Sequence, residues 1–475
     1  MSFCISSISN KKILFFILLL ECSWLFSQTV DSSEIYKIES ITIIGNKRTR
    51  EKIITRELSK QINDTFALKN ISAIKKRSEQ NIFNTQLFIY DTIYPIINHQ
   101  NKSISLKISV KERWYIWPVP VFEIQDRNFN SWWQTKDLFR INYGFALGLD
   151  NFTGVKDRLV FLFQRGYSEK YGFSYRIPYL NKEQTIGFNM MYTYGRNNEV
   201  TYITEDNVPK FVRQYNKYLR TEHEAKVGII HRPNLYEQNT LEVLFKESTV
   251  IDTVVKLNPD FFGNKRKNII YTSLQYRYTY DDRDNRIYPL HGWAFDVWIY
   301  KDGFDYSAKS PINNMNITAS LRKHSQLHKR IFLANMIKGR YMNVDYLSYN
   351  FNRSLGYNDY IRGYEYYIID GQKYILTKNS LRYQIIKPRI YHNSGRFAIK
   401  QFSTIPYYAF INIYFDGAYV EDKFYFKSNN LTNSWQYGYG ASLDFISYYD
   451  LVIRLEYSFN ARKENGFFIH ATSSF

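Results

Sequence analysis

The sequence is poor in cysteine, and after its first thirty residues it lacks any long apolar run. Its 475 residues include two cysteines, Cys4 and Cys22. Both fall in a segment that we expect to be removed, so the mature chain is expected to carry no thiol, as suits an oxidising compartment without reliance on disulfides. Because no later apolar stretch has the length that a helix needs to span a bilayer, no transmembrane helix is predicted.

Motifs for catalysis and cofactor binding are also scarce. His223-Glu224 begins like a zinc-protease motif, but Val227 stands where the second histidine belongs. There is no Gly-rich phosphate loop with a lysine, no serine elbow and no cysteine-based metal site. The sequence therefore predicts no enzyme activity, no cofactor and no metal. A hydrolase built from scattered Ser, His and Asp residues is the alternative, because such triads are spatial.

The first 27 residues have the features of a signal peptide. Lys11-Lys12 form a basic region, Ile13 to Leu20 form an apolar run, and Ser27-Gln28 is a suitable cleavage point after a small residue. The apolar run is too short to span a bilayer as a helix. Glu21 precedes Cys22 where a lipoprotein signal requires a small residue, which argues against lipidation.

Aromatic residues are abundant, although the chain is polar on average. They make up 18% of the sequence, with 43 Tyr and 35 Phe, while the mean hydropathy is -0.42. A membrane-spanning β-barrel combines these properties, because it has an apolar outer face, aromatic girdles and a polar lumen. The net charge of +19 is dispersed along the chain. That dispersion favours a solvated lumen and contact with acidic lipid headgroups over nucleic-acid binding.

Residues 36–113 form a unit with its own pattern. A strand is predicted over 38–44, a helix capped by Thr49 over about 49–60, and a second helix from about Asn70. In the second helix Ile71, Ile74, Ser78 and Ile82 share one face. Two strands are predicted to follow, over 88–97 and 103–112. The unit is thus a small α+β domain.

From residue 117 to residue 475 the period is two, which predicts a mainly β barrel. Leu451, Ile453 and Leu455 alternate with Arg454 and Glu456, for example, giving a lipid face and a lumen face. About sixteen such segments occur, an even number as a single-chain bacterial barrel requires. They lie near 118–126, 139–151, 156–166, 170–179, 184–196, 221–232, 239–250, 267–281, 292–302, 314–326, 329–342, 373–387, 404–419, 434–447, 450–460 and 467–475. A soluble all-β protein is the alternative, but it explains neither the signal peptide nor the charges opposite an apolar face.

Two motifs in the predicted barrel region carry a family resemblance. Ile361-Arg362-Gly363-Tyr364 lies in a long loop after the eleventh segment, and Phe415-Asp416-Gly417 lies in a later strand. The first resembles the Arg-Gly-aromatic loop motif of the BamA/TamA family of outer-membrane barrels, which fold or export other proteins. The resemblance implies that this loop folds into the barrel and that its arginine docks on the wall. Alternation turns Asp416 inward as a partner for Arg362, the alternatives being another lumen carboxylate or water.

A further match lies between the eighth and ninth segments. The residues Asp282-Arg283-Asp284-Asn285, Pro289 and Gly292 resemble a turn motif of the same family. Asp, Asn, Pro and Gly are also ordinary turn formers, so this match is support for the fold rather than for a site. Strand parity predicts that the turn lies on the periplasmic side.

The resemblance also implies that the 36–113 unit is a POTRA domain, the periplasmic module of this family. Its exposed sheet edge could hold a client segment by strand addition, or the domain could only brace the barrel mouth. The implied function is insertion or translocation of polypeptides at the outer membrane. The expected partners are outer-membrane lipids, client polypeptides and periplasmic or lipoprotein partners, with no nucleic acid. A passive pore or structural barrel that keeps the fold is the alternative.

The first and last segments are expected to meet at a weak seam. Pro118 and Pro120 lie two residues apart, so one edge of the first strand lacks two backbone donors. Proline is tolerated at sheet edges. The last strand, from Phe467 to Phe475, is the expected neighbour, and the resemblance implies that this seam opens sideways.

Overall fold

The computed structural model describes residues 34–124, 136, 138, 141–214, 217–304, 312–392, 402–447 and 451–471. The predicted signal peptide and Phe475 lie outside the described residues. The chain folds into a small N-terminal α+β domain and a 16-stranded antiparallel sheet. None of the helices in the described ranges has the length and apolarity to cross a membrane.

The N-terminal domain has a four-stranded sheet with the strand order β2-β1-β4-β3. Its elements are β1 (Ile35–Ile44), α1 (Glu51–Thr55), β2 (Thr65–Ala67), α2 (Ile71–Phe83), β3 (Phe88–Asn98) and β4 (Ser103–Glu112). Strand β1 runs parallel to β4, and the other neighbours are antiparallel. Ile38, Ile54, Ile82 and Ile108 are buried in one core between the sheet and the helices. Ile71 and Ile74 pack against its margin.

The first helix is shorter than the predicted 49–60, and its cap differs. Helix α1 ends at Thr55, and its N-cap is Arg50, which makes no side-chain cap bond. The Thr49 hydroxyl instead contacts the Tyr115 hydroxyl and accepts a hydrogen bond from Asn151 in the barrel. The Thr49 hydroxyl, which the sequence predicts as a helix cap, is thus used in a contact between the N-terminal domain and the barrel. Strand β2, which pairs with the start of β1, was not predicted.

The large sheet is formed by strands with the following bounds. They are β5 (Ile116–Ile124), β6 (Ile141–Asp150), β7 (Arg158–Gly166), β8 (Ser168–Ile177), β9 (Ile186–Asn197), β12 (Arg220–His231), β13 (Glu237–Val250), β14 (Asn268–Asp281), β15 (Gly292–Asp302), β16 (Asn314–His328), β17 (Ile331–Asn343), β18 (Lys373–His392), β19 (Thr404–Glu421), β20 (Trp435–Ile446), β21 (Val452–Asn460) and β22 (Asn465–Ala471). Two more strands, β10 (Glu199–Glu205) and β11 (Val208–Arg213), form a separate hairpin between β9 and β12, and a short helix α3 (Asp252–Leu257) follows β13.

Side chains alternate between a buried and an exposed face most clearly in the C-terminal strands. In β21, Arg454, Glu456 and Ser458 are buried while Leu455 and Tyr457 are exposed. The buried set is polar and the exposed set is apolar, the reverse of a soluble sandwich and the arrangement of a barrel with a polar lumen. The predicted fold class, a mainly β barrel of about sixteen strands after a small α+β domain, is confirmed.

The β10–β11 hairpin was not predicted, and it folds over the extracellular end of the barrel. At its tip Asn207 adopts a φ of +61°. The Asn207 side chain donates to the Ile368 carbonyl oxygen at 3.1 Å and accepts from the Leu431 amide at 3.0 Å. Thr204 donates to Asp370 at 3.0 Å. The hairpin thereby ties together two extracellular loops that come from the opposite part of the sheet.

Candidate functional site: the docked loop and its supports

Residues 344–372, between β17 and β18, form an extracellular loop that enters the barrel; we call it the docked loop. Its Arg362 meets Asp416 of β19 through two side-chain hydrogen bonds, from Nε to Oδ2 at 2.8 Å and from Nη2 to Oδ1. The Arg362 backbone amide also donates to Asp416 Oδ2, at 3.2 Å. Arg362 is 1% exposed and Asp416 is 0% exposed. The structure therefore brings these two predicted residues together as a bidentate, buried ion pair.

The rest of the guanidinium is also occupied. Nη1 donates to the Ser380 hydroxyl at 3.1 Å, and Nη2 approaches the Asn379 carbonyl oxygen at 3.4 Å. Its central carbon lies 3.8 Å from the centroid of the Tyr414 ring. A buried charge is costly unless its hydrogen-bonding groups are satisfied, so these neighbours determine where Arg362 can lie.

Gly363 permits the close approach of the docked loop to the wall, where a Cβ at this position would lie 2.9 Å from the Phe459 carbonyl oxygen. Gly363 has a φ of +93°, a conformation that L side chains rarely adopt. Ile361, two residues earlier, is buried in a cluster of aliphatic and aromatic side chains of the loop and the wall. Tyr364 donates its hydroxyl to Gln436 at 2.8 Å. Gly417 lies opposite Thr377 in the β18–β19 ladder, beside the ion pair.

The predicted turn motif, between β14 and β15, is held by hydrogen bonds to two of its own aspartates. Asp284 Oδ1 accepts hydrogen bonds from the amides of Asn285, Leu290 and His291, and Asp282 Oδ1 accepts from the amide of Trp293. Gly292 has a φ of +101°. These contacts give the turn between β14 and β15 a defined shape.

The same turn reaches in two directions. Toward the lumen, Pro289 accepts a hydrogen bond from Arg382 at 3.1 Å, and Tyr288 donates to Asp444 at 2.9 Å. Toward the N-terminal domain, Asn84 donates to the Arg283 carbonyl oxygen at 3.1 Å and accepts from the Arg286 amide at 3.1 Å. This turn is thus a joint between the domain and the lumen, a role that its turn-forming composition did not predict.

A buried ion pair forms a second joint. Arg232, in the turn between β12 and β13, donates to both carboxylate oxygens of Glu57, at 2.7 and 3.1 Å. Burial alone would raise the pKa of Glu57, but the charge of Arg232, helped by Lys156 and Arg56, outweighs it and lowers that pKa from 4.5 to about 2. Tyr179, from the turn between β8 and β9, also donates to Glu57.

The remaining contacts come from the same side of the N-terminal domain. Arg48 donates from Nε to the Asn151 carbonyl oxygen at 2.9 Å, and the Arg50 amide donates to the Gly154 carbonyl oxygen at 3.0 Å. Arg77 donates to the Tyr236 hydroxyl at 2.8 Å. The domain therefore docks on the turns at the periplasmic mouth of the barrel.

The predicted seam residues lie on the two end strands of the large sheet. Pro118 and Pro120 are opposite Leu147 and Phe145 in an unbroken β5–β6 ladder. Phe467, on β22, is exposed on the outer face. Between the described parts of β5 and β22, residues 116–124 and 465–471, the strand pairing contains no ladder.

Sequence reasoning missed three groups that the fold assembles. One is the Glu57–Arg232 joint, whose members are 175 residues apart in the chain. Another is the hairpin over the extracellular end. The third is a lumen cluster of Glu365, Glu456 and His470, which come from the docked loop, β21 and β22. No local motif marks the Glu57–Arg232 joint or the lumen cluster, because each depends on contacts between distant segments. The hairpin is local, and its Asp206-Asn207 turn is the signal that could have identified it.

Comparisons with known proteins give a family match for the N-terminal domain and a fold match for the whole chain. Residues 36–113 match the POTRA family, described as "Surface antigen variable number repeat". A sequence search of curated proteins finds no match. Among solved structures, CdiB from Escherichia coli is similar at 9% identity and a TM-score of 0.50, over 98% of this chain and 95% of that one. BamA from Haemophilus ducreyi lacking POTRA domains 1-3 has 14% identity and a TM-score of 0.48, over 93% of this chain and 84% of that one.

Proposed function

We propose that this chain inserts or translocates polypeptides, because it joins a POTRA domain in the periplasm to an outer-membrane barrel with the fold of CdiB. Clients would engage an edge of the barrel sheet at the seam between β5 and β22. The docked loop would hold together the strands of the barrel wall that lie beside the seam.

The observation that carries this proposal is the edge of β5. Proline has no backbone donor, yet Pro118 and Pro120 lie in a ladder with β6 that has no register shift. We therefore assign the two positions without a donor to the other edge of β5, which is directed away from β6 and toward β22. A seam with fewer hydrogen bonds opens at lower cost than the ladders elsewhere in the sheet, and a free edge can template an incoming strand.

The position of the docked loop supports a role in the seam. Arg362 is held by β18 and β19 through Ser380 and Asp416, and Asn460 of β21 donates to the Gly363 carbonyl oxygen at 2.9 Å. The loop thus spans the strands that precede the end strand β22. Its release would loosen the wall beside the seam.

The POTRA domain supports client or partner binding at its free edge. Strand β3 is an end strand of the POTRA sheet, and its Tyr94 and Ile96 are exposed. The hydrogen bonds to the barrel come from the region of Arg48 to Glu57, from α2 and from Asn84, so the β3 edge is clear of the barrel. At that edge the Ile93 amide donates to Glu79 at 2.8 Å, and a client strand would pair with the remaining backbone groups. Docking and client binding can therefore coexist in one domain.

Depletion of the protein followed by a census of outer-membrane and secreted proteins tests the proposal. The amounts of a defined set of client proteins should decline in the outer membrane or outside the cell. The lipid content of the outer membrane and the uptake of small solutes should stay unchanged. Loss of small-solute uptake with a complete census would instead indicate a passive pore, and an unchanged cell envelope proteome would contradict the proposal.

A further inference from the structure

A cluster of three metal-ligating side chains lies in the lumen next to the docked loop. Glu365 of the loop, Glu456 of β21 and His470 of β22 each offer one ligand atom, and these atoms all lie within 4.8 Å of one another. Glu365 Oε1 and His470 Nε2 are 3.9 Å apart. It is the one such group among the described residues.

The burial of the cluster makes its composition costly without a cation. Glu456 is 0% exposed, and its Oε1 accepts a hydrogen bond from the Ser458 hydroxyl at 2.7 Å. Its Oε2 has no hydrogen-bond partner in the described part of the chain, and neither has His470 Nε2. A buried carboxylate oxygen and an imidazole nitrogen that face each other without donors favour a bound positive charge.

The surroundings hold the ligands in place. The second oxygen of Glu365 accepts from the Gly363 amide at 2.9 Å, so the turn that docks Arg362 also aims Glu365. The His470 ring stacks on Tyr360, with the ring centroids 5.8 Å apart. Such outer contacts orient metal ligands in characterised sites.

Two of the three nearby cations are already paired with carboxylates. Arg362 is paired with Asp416, and Arg454 donates to Asp444 at 2.8 Å. Lys378 lies with its Nζ 4.2 Å from the centroid of the Tyr360 ring. It is the competitor for the cluster, because its charge could balance one carboxylate in place of a metal.

We propose that Glu365, Glu456 and His470 bind a divalent transition-metal cation such as Zn²⁺. One imidazole nitrogen and two carboxylate oxygens suit such a cation, whereas Mg²⁺ and Ca²⁺ prefer oxygen ligands alone. Bond lengths of about 2.0–2.2 Å would draw the three ligand atoms closer together than in the metal-free geometry, and a water molecule would complete the coordination. The cation would join the docked loop to the end strand of the sheet.

The test is metal retention by the untagged full-length mature protein in detergent, stripped with a chelator and then equilibrated with Zn²⁺. Elemental analysis after desalting should find one zinc per chain, and Co²⁺ in its place should give visible absorption bands of a nitrogen–oxygen site. Glu456→Gln and His470→Gln should each weaken zinc binding at least tenfold. His324→Gln, which removes another buried lumen histidine, is the matched control and should retain the metal.

Heat-dependent migration on gels verifies that each variant is folded, and Glu365→Gln provides a variant confined to the loop. Absence of retained zinc in the folded wild-type protein would overturn the proposal and would favour Lys378 as the counter-ion. Retention that is equal in wild type, Glu456→Gln and His470→Gln would also overturn it. Neither result depends on client insertion, so the metal site and the proposed function are tested separately.

Discussion

The backbone of the docked loop rests on Gly438 of β20: a Cβ at position 438 would lie 1.8 Å from the Arg362 carbonyl oxygen. Gly438 is also the cross-strand partner of Asp416. The side chain of Arg362 therefore reaches across the same point of the wall that its own carbonyl covers. A methyl group on residue 438 would push the docked loop away from the wall and would thereby oppose the Arg362–Asp416 ion pair.

Gly438→Ala should release the docked loop while leaving the barrel assembled. Strand β20 is fixed by continuous ladders to β19 and β21, so the loop must move rather than the strand. Trypsin should cut the loop, at Arg353 or Arg362, at least tenfold faster than in the wild-type protein. Gly339→Ala is the control, since a Cβ there meets its nearest atom at 3.6 Å, an ordinary contact. Equal cleavage of both variants would show that the contact at Gly438 does not hold the loop.

The ion pair itself calls for a double-mutant cycle. Removing one member of a buried pair leaves an uncompensated charge and costs about 3–5 kcal/mol. Arg362→Ala and Asp416→Ala should each lower the free energy of loop opening, measured by native-state proteolysis, and the double variant should lose much less than the sum. Arg362→Lys should restore little, because an ammonium cannot make the bidentate contact. Strictly additive effects would mean that the two side chains do not interact.

The POTRA contact should weaken in acid. The pKa of Glu57 is lowered in the folded protein from its ordinary 4.5 to about 2, so its stabilising effect is complete above pH 4.5 and disappears as the pH falls toward 2. Dyes attached at Gln100→Cys and Glu183→Cys should report separation of domain and barrel in that window. Glu57→Gln should remove this pH dependence, and Glu51→Gln, an exposed neighbour on α1, should keep it. A response that Glu57→Gln leaves unchanged would assign the pH dependence to other groups.

The barrel strands could be predicted because their alternation is a local pattern in the sequence. Features that depend on contacts between distant residues could not be predicted in this way. The alternation of Leu455 and Glu456 reports directly which face each side chain takes, so strands could be placed within a few residues. The same alternation turned Asp416 inward, where Arg362 meets it. By contrast, the sequence could not indicate whether Thr49 caps α1 or contacts Tyr115, because a hydroxyl that can do either carries no local signal of the outcome.

The seam is the last part of the proposal to be tested, and it needs cysteines at positions whose register is not fixed by a ladder. A small set of pairs therefore combines Ile116 or Phe122 of β5 with Phe467 or Ile469 of β22, all of which are exposed on the outer face, in a mature chain that is expected to have no thiol of its own. If the seam opens to admit a client strand, a disulfide across it should stop client insertion, and reduction should restore it. Mass spectrometry of the oxidised protein must show that the cross-link has formed.

A disulfide between two strands that need not separate is the matched control for the seam. Leu455 and Ile469 are direct partners in the β21–β22 ladder, and both are exposed on the outer face. Linking them adds the same covalent bond one strand away from the seam, so it should leave insertion intact in either redox state. Arrest by both cross-links would indicate general rigidification of the barrel. Full activity with the β5–β22 bond in place would exclude lateral opening, because covalently joined edge strands cannot separate to pair with a client.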